Sequence, residues 1–371
     1  MAVAYHLGAF PPVALHWPRL VPLLGPASAA VARYEGLLLS IPNPDVLLSP
    51  LTSQEAVLSS RIEGTQATLG EVLEFEAEGA VEGADPERQA DIQEVLNYRR
   101  ALREASRLLI ELPFSQRLVR QTHEVLMQGV RGRNKAPGEY RRIQNWLGPA
   151  GSSLTTARFV PCPAENLPAA MDAWENYIHS NEPDVLVQLA IVHAEFEAIH
   201  PFLDGNGRLG RLIVPLFLQN KGLLSSPNFY LSEFLETHRI EYYERLLAIS
   251  ENGDWTGWCE FFLTGVTTQA DSNQRKAAGI LDLYRSKKEW IVDLARSQHS
   301  VRALDYIFRA PIFRSPDFIT HSGIPKPTAI RILRLLRDNG MVREIRPSSG
   351  RRPATLAFPE LLNIAEGRRV F

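Results

Sequence analysis

Apolar residues recur at the three- and four-residue spacing of amphipathic helices through most of the chain. The clearest run covers about 88–110, where Ile92, Val95, Leu96, Leu102, Ala105 and Leu109 share one face. Further helices are expected at about 53–63, 115–128, 165–180, 184–199, 207–221, 238–250 and 254–296, the last of them broken. Thr52 and Glu55 have the spacing of a capping box, and Gly64 supplies a stop. Residues 1–50 are punctuated by Pro11, Pro12, Pro18, Pro22, Pro26, Pro42, Pro44 and Pro50. They read as irregular chain with one short helix near 27–39. A mobile loop is expected over 77–87. Residues 139–160 carry β-type residues on either side of a Gly/Ser-rich centre, which predicts a hairpin arm.

The last 70 or so residues change character. FITHSGIPKPTAIRILRLLRDNGMVREI followed by RPSSGRRPATLAF reads helix, turn, helix, strand, basic loop, strand. That is the layout of a winged helix-turn-helix, with Gly323 in the turn and Arg346, Arg351 and Arg352 in the loop. Arg331, Arg334 and Arg337 stripe the expected recognition helix beside Ile330, Leu333 and Leu336. From 301 to 371 there are 13 Arg and Lys against 6 Asp and Glu, a local excess of +7. DNA binding is one reading of that charge. Protein docking or dimer geometry, with the arginines solvated, is the other.

At 371 residues the chain is long for one core, and its formal charge of −2 points to no class of partner. Its only cysteines, Cys162 and Cys259, have no metal-type spacing, which fits a reducing, cytoplasmic setting. MAVAYHLGAFPP is a poor signal peptide, and no apolar run approaches the ~20 residues of a membrane span, so a soluble protein is expected.

The chemistry concentrates in HPFLDGNGRLGR, residues 200–211. Pro201 ends the preceding helix and pushes His200 out of the α region, toward a loop. Gly205 and Gly207 flank the start of the next helix, whose exposed N–H groups and dipole favour an anion. Arg208 and Arg211, three apart, reach the same side. Asp204 can hold Mg²⁺ shared with phosphate oxygens, and histidine is a base near neutrality. Structural readings exist for each residue alone: glycine turns often merely open helices. A zinc set of His193, Glu197 and His200 lacks the His-Glu-x-x-His order, and no P-loop Gly-Lys-Ser/Thr is present.

The stretch resembles, at every fixed position, the signature of the Fic (filamentation induced by cAMP) family, His-Pro-Phe-x-Asp-Gly-Asn-Gly-Arg-x-x-Arg. The resemblance implies a mainly α, Fic-type helical bundle with a β-hairpin flap, beside the C-terminal winged helix-turn-helix. It divides the chain into an N-terminal helical region (1–112), a catalytic domain (113–265), a connecting helix (266–298) and the winged helix (299–371). It also implies transfer of AMP from ATP to a Ser, Thr or Tyr hydroxyl of a target protein, with self-modification one form of that activity. On this likeness His200 is the general base and Asp204 the Mg²⁺ ligand. Asn206 and the Gly205–Gly207 backbone bind the α-phosphate, and Arg208 and Arg211 the β- and γ-phosphates. Leu209 and Gly210 complete that segment, and Phe202 is a core anchor. PGEYRRIQNWLG and TARFVPCP resemble the flap, with Thr156, Ala157, Arg158 and Phe159 over the nucleotide. Tyr242 and Tyr243 match a tyrosine pair of the adenine pocket, although core packing explains them equally well. Ser250 stands where relatives often have an asparagine that contacts base and ribose.

SSRIEG, residues 59–64, resembles the family's inhibitory motif, with Ser59, Glu63 and Gly64 in register. A glutamate at a helix C-terminus is disfavoured by ~0.3–1 kcal/mol, and the plain reading is a solvated side chain. The likeness instead pairs Glu63 with Arg211 and blocks the γ-phosphate. Family habit also implies a homodimer. Two rival functions remain at this level: another nucleotide donor, such as UTP or a phosphocholine nucleotide, or a winged-helix regulator with a vestigial catalytic domain.

Overall fold

The computed structural model describes residues 2–79, 85–129, 134–149, 151–350 and 352–371. Arg351 and part of the loop expected at 77–87 lie outside the described residues. In chain order the elements begin with β1 (Val3–Ala4), α1 (Trp17–Leu38), α2 (Pro44–Leu47), α3 (Ser49–Ile62) and α4 (Leu69–Glu78). Next come α5 (Pro86–Leu108), α6 (Gln116–Leu126), β2 (Phe159–Val160), α7 (Leu167–His179), α8 (Val185–Ile199) and α9 (Asn206–Asn220). They are followed by α10 (Ser232–Thr237), α11 (Arg239–Asn252), α12 (Trp255–Ala295), α13 (Ser300–Arg309) and β3 (Ile312–Arg314). The chain closes with α14 (Ser315–His321), α15 (Lys326–Asp338), β4 (Arg343–Arg346), β5 (Thr355–Ala357) and α16 (Pro359–Glu366).

Several local expectations change. The first long helix, α1, runs 22 residues through Pro22 and Pro26 instead of being short. The α12 segment is one unbroken helix of 41 residues. Its Gly265 marks a close approach, since a Cβ there would meet the ring of Phe234 at 2.6 Å. Thr52 is no N-cap, because α3 starts at Ser49 and the Thr52 hydroxyl donates to the Leu48 carbonyl. The capping box lies instead at Thr68–Glu71, opening α4, an element the apolar spacing did not reveal. Between 139 and 160 the described residues show one antiparallel bridge, Leu147 to Phe159, and β2 pairs in parallel with β1.

The chain divides into two compact units. The first holds residues up to Glu35, Leu58–Thr65 and Asn97–Asp271. Its centre is α8, whose run VLVQLAIVHAEFEAI is apolar nearly all round and therefore sits inside. Asp184 caps α8, accepting from the N–H groups of Leu186 and Val187 at 2.9 and 3.0 Å. The indoles of Trp174 and Trp258 donate to α8 carbonyls, of Val192 and Ala190, at 2.9 and 2.7 Å. That satisfies the only polar atom of each buried ring.

The second unit holds Gly36–Val57, Gln66–Leu96 and Ser272–Phe371. Strands β3, β5 and β4 form an antiparallel sheet in that order, with Arg314 opposite Thr355 and Arg343 opposite Ala357. Gly323, at φ +69°, occupies the turn between α14 and α15. Glu78, at the end of α4, accepts from Arg346 at 2.6 Å, from Thr355 at 2.5 Å and from Arg352. Glu74, one turn earlier, pairs with Arg346 at 2.9 Å. The Glu78 side chain is 6% exposed, whereas Arg346 and Arg352 are 35% and 43% exposed. Replacing Glu78 by Ala should therefore cost about 1–2 kcal/mol, the screened end of the range for charged hydrogen bonds. Urea unfolding of the variant, with faster proteolysis around 344–355, checks this.

Candidate active site

The twelve-residue segment joins α8 to α9, and the sequence dictates how. With Pro201 next, the helix cannot continue, and His200 takes the left-handed conformation, φ 50° and ψ 60°. Three devices hold the turn. Arg141, only 3% exposed, donates from Nε to the His200 carbonyl at 2.9 Å, and from Nη2 to the Ile199 and Cys162 carbonyls. Burial lowers this guanidinium to about 10. The Asn206 amide closes the loop on Phe202, Oδ1 accepting from its N–H at 2.8 Å and Nδ2 donating to its carbonyl at 2.9 Å. Below them His123 stacks on the Phe202 ring at 3.7 Å. Its Nδ1 accepts from the Gly138 N–H, so its Nε2–H donates to the Asp204 carbonyl at 3.0 Å.

A cavity of about 570 Å³, within the usual range for small-ligand sites, opens above this turn. One end is lined by His200, Asp204, Gly205, Asn206, Gly207 and Arg211. The other is lined by Tyr242, Tyr243, Leu246 and Leu247 of α11, with Arg158 and Phe159 at the rim. Helix α9 begins after Gly205, at φ +77°, with no side-chain cap, so its first N–H groups suit an anion.

The His200 ring sits with Nδ1 3.3 Å from the Glu197 carbonyl, which makes Nδ1 the protonated nitrogen and leaves the Nε2 lone pair as acceptor. Burial lowers its pKa to about 4, so it is neutral at pH 7. Asp204 accepts from the Gly205 N–H at 2.6 Å and lies 3.5 Å from Arg208, with 42% of its side chain exposed. Arg208 itself is buried against Met127.

Arg211 has a side chain 1% exposed and is engaged through Nε and Nη2. It donates to Ser59 Oγ and to the Ser59 carbonyl, both at 2.8 Å, and to Glu63 Oε1 at 2.7 Å. Burial pushes the Glu63 carboxyl up, but Arg211, then Arg208 and His200, more than offset that, and its pKa is lowered. Gly207 makes room for this contact, since a Cβ at that position would overlap the Glu63 carboxylate. Gly64, at φ +105°, ends α3 and donates its N–H to the Arg61 carbonyl.

The structure thus brings together His200, Asp204, Gly205, Asn206, Gly207, Arg211, Arg158, Phe159, Tyr242, Tyr243 and Glu63 around one cavity, with Ser59 behind Arg211. Thr156, Ala157, Arg208, Leu209 and Gly210 do not line it. The Asn206 side chain is spent on its own loop. Ser250 also does not line the cavity, because its hydroxyl bonds His6 Nδ1 at 2.7 Å. His193 donates from Nδ1 to the Gly210 carbonyl and accepts at Nε2 from the Tyr242 hydroxyl, both at 3.0 Å. Both ring nitrogens are thus engaged, and His193 positions Tyr242. Sequence reasoning missed His123 and Arg141, whose roles depend on contacts 59 to 81 residues away.

Burial lowers His123 to about 4 and His193 to about 3, as it does His200. The folded chain then refuses protons that the unfolded chain takes up near pH 6.5. Stability is full above that value and is lost as pH falls through 6.5 toward 4, at up to ~1.4 kcal/mol per proton per pH unit. Thermal unfolding between pH 7 and 5 should show this fall, less the opposing uptake of one proton by Glu197, whose carboxyl burial raises to about 7; a flat profile would contradict it.

Residues 21–107 match the model described as Fic/DOC family N-terminal, and residues 113–218 match the Fic/DOC family model. The chain belongs to the Fic/DOC family. Among curated relatives, it is 28% identical over 180 residues to "Probable protein adenylyltransferase aq_aa38" of Aquifex aeolicus (strain VF5), covering 48% of this chain and 51% of that protein. It is 34% identical over 92 residues to "Protein adenylyltransferase Fic" of Nematostella vectensis, 22% of each chain. The chain thus spans about half the length of the first and about a fifth of the second. A solved Fic family protein from Desulfovibrio desulfuricans G20 superposes with a TM-score of 0.58 at 22% identity, over 94% of this chain and 98% of that one. Fic-1 (residues 134–508) from C. elegans gives 0.52 at 20%, over 72% and 76%. These two show a shared, mainly helical fold. No helix among the described residues is long and apolar enough to cross a membrane.

Proposed function

We propose that the chain transfers AMP from ATP to a hydroxyl side chain of a target protein, and that Glu63 holds this activity down. One observation carries the reading: the Glu63–Arg211 ion pair lies inside the same cavity as a neutral histidine with a free acceptor nitrogen. The attacking hydroxyl gives its proton to His200 Nε2 as its oxygen bonds the α-phosphorus. The bond from that phosphorus to the bridging oxygen breaks, and pyrophosphate leaves. The α9 N-terminus and Arg211 receive phosphate charge, and Tyr242, Tyr243 and Leu246 offer the apolar end a base requires. Glu63 occupies Arg211 and the space over Gly207, so the phosphates must displace it. The relatives named adenylyltransferases support AMP as the group transferred.

Magnesium fits the donor set as a shared ion. Among the described residues no cluster of three His, Cys, Asp or Glu side chains forms, and Asp204 presents a half-exposed carboxylate at the cavity. A hard cation with one carboxylate completes its shell with phosphate oxygens and water, and would neutralise triphosphate charge there.

We propose a functional division into 1–112, 113–265, 266–298 and 299–371. We read α13–α16 with β3–β5 as the winged helix, several of whose basic residues are engaged within it or by α12 and α4. Arg331 donates to the Ala295 carbonyl, Arg337 pairs with Glu344, and Arg346 and Arg352 pair with Glu78. That favours protein docking over DNA binding.

The test is incubation of Glu63→Gly protein with α-labelled ATP or UTP, or with CDP-choline labelled in its phosphocholine group. Label retained from ATP, and lost in Glu63→Gly/His200→Ala, supports the reading. Retention from another donor alone replaces it, and no retention from any donor rejects transfer.

A further inference from the structure

The α8 wall of the cavity is made by Ala194, Glu197 and Ala198, which fall on one helical face. The alanines leave space, and Glu197 is the hydrogen-bonding group among the three. Its Oε1 is buried with no hydrogen-bond partner among the described residues. Such an atom calls for an explanation, because leaving a polar group unsatisfied costs ~1–3 kcal/mol. Gly210 holds the place open, since a Cβ at that position would collide with this oxygen.

Glu197 is within electrostatic reach of Arg211 and Glu63 at the first end of the cavity. Its carboxyl is pushed up to about 7, first by burial and then by the Glu63 charge, and Arg211 pulls it back. At the other end both Tyr242 and Tyr243 feel its charge. What joins the phosphates to the base in a nucleotide is the sugar, whose hydroxyls are donors suited to a carboxyl acceptor. Ser250, the position the sequence pointed to for this contact, is turned away onto His6.

We propose that Glu197 recognises the sugar of the donor nucleotide, its cavity-lining carboxyl accepting a hydrogen bond from a ribose hydroxyl. The site then selects ribonucleotides over deoxyribonucleotides. This rests on the cavity being a nucleotide site, as proposed above.

In Glu63→Gly protein, labelling and calorimetric binding are compared for ATP, 2′-deoxy-ATP and 3′-deoxy-ATP. ATP should exceed at least one deoxynucleotide about tenfold in kcat/KM and in affinity, the equivalent of one good hydrogen bond. Glu197→Ala should shrink that ratio to within about twofold, as ATP falls toward its deoxy analogue. Glu197→Gln keeps an acceptor oxygen and should keep part of the preference, which guards against a folding defect in the alanine variant. An unchanged ratio in Glu197→Ala, or no preference in the parent, overturns the proposal. Binding that shows the preference without label transfer sustains the ribose contact and rejects the transferase reading; loss of both binding and transfer rejects both.

Discussion

Glu63→Gly protein should incorporate AMP some 10- to 100-fold faster than the parent under the same ATP concentration. The size follows from the latch. A site held about 99% closed requires roughly 2.7 kcal/mol, which a charge-assisted Glu–Arg contact against a buried guanidinium can supply. Arg211 keeps both Ser59 contacts in the variant, so it stays in place while the space over Gly207 becomes free. Because the Glu63 carboxyl is held below its ordinary value, the ion pair persists at neutral pH and weakens only as pH falls below the usual carboxylate range. Initial rates of label incorporation decide it. Equal rates in parent and variant, with His200→Ala inactive, would remove the latch from this account and leave the chemistry standing.

His200→Ala in the Glu63→Gly background should lose 10²–10⁴ in rate, the usual worth of a positioned base, while ATP affinity is retained. Single-turnover labelling paired with calorimetry separates the two. The histidine's low pKa adds a sharper expectation. A base already neutral above about 4 in the free protein adds no acid limb near 6.5 to kcat/KM, so that parameter should show no loss due to the imidazole from pH 8 down to about 5.5. Half-loss at pH 6.5 would mean that the imidazole is not buried as described.

The parts of the fold that read well from sequence are those with unambiguous local signals. Helix α8 lies one residue inside its expected start because a nearly continuous apolar run meets Asp184 at one end and Pro201 at the other. The cavity's anion end was legible because glycine, proline and arginine each act within twelve residues. Helix α1 was underestimated because proline reads as a breaker. Pro18, Pro22 and Pro26 are spaced by four and all exposed, so the carbonyls they leave unpaired face water. Helix α4 was missed because ten residues hold too little periodicity, although Thr68 and Glu71 announced its start. Glu197, His123 and Arg141 were illegible as site residues, since burial and distant backbone carbonyls define them.

The strained turn at His200 has one further implication. A positive φ suits glycine and costs most other residues ~1–2 kcal/mol. The proposed base therefore stands where backbone comfort would choose no side chain at all. Selection for heat tolerance alone would tend to erode activity at this residue, and only selection on turnover would keep an imidazole there.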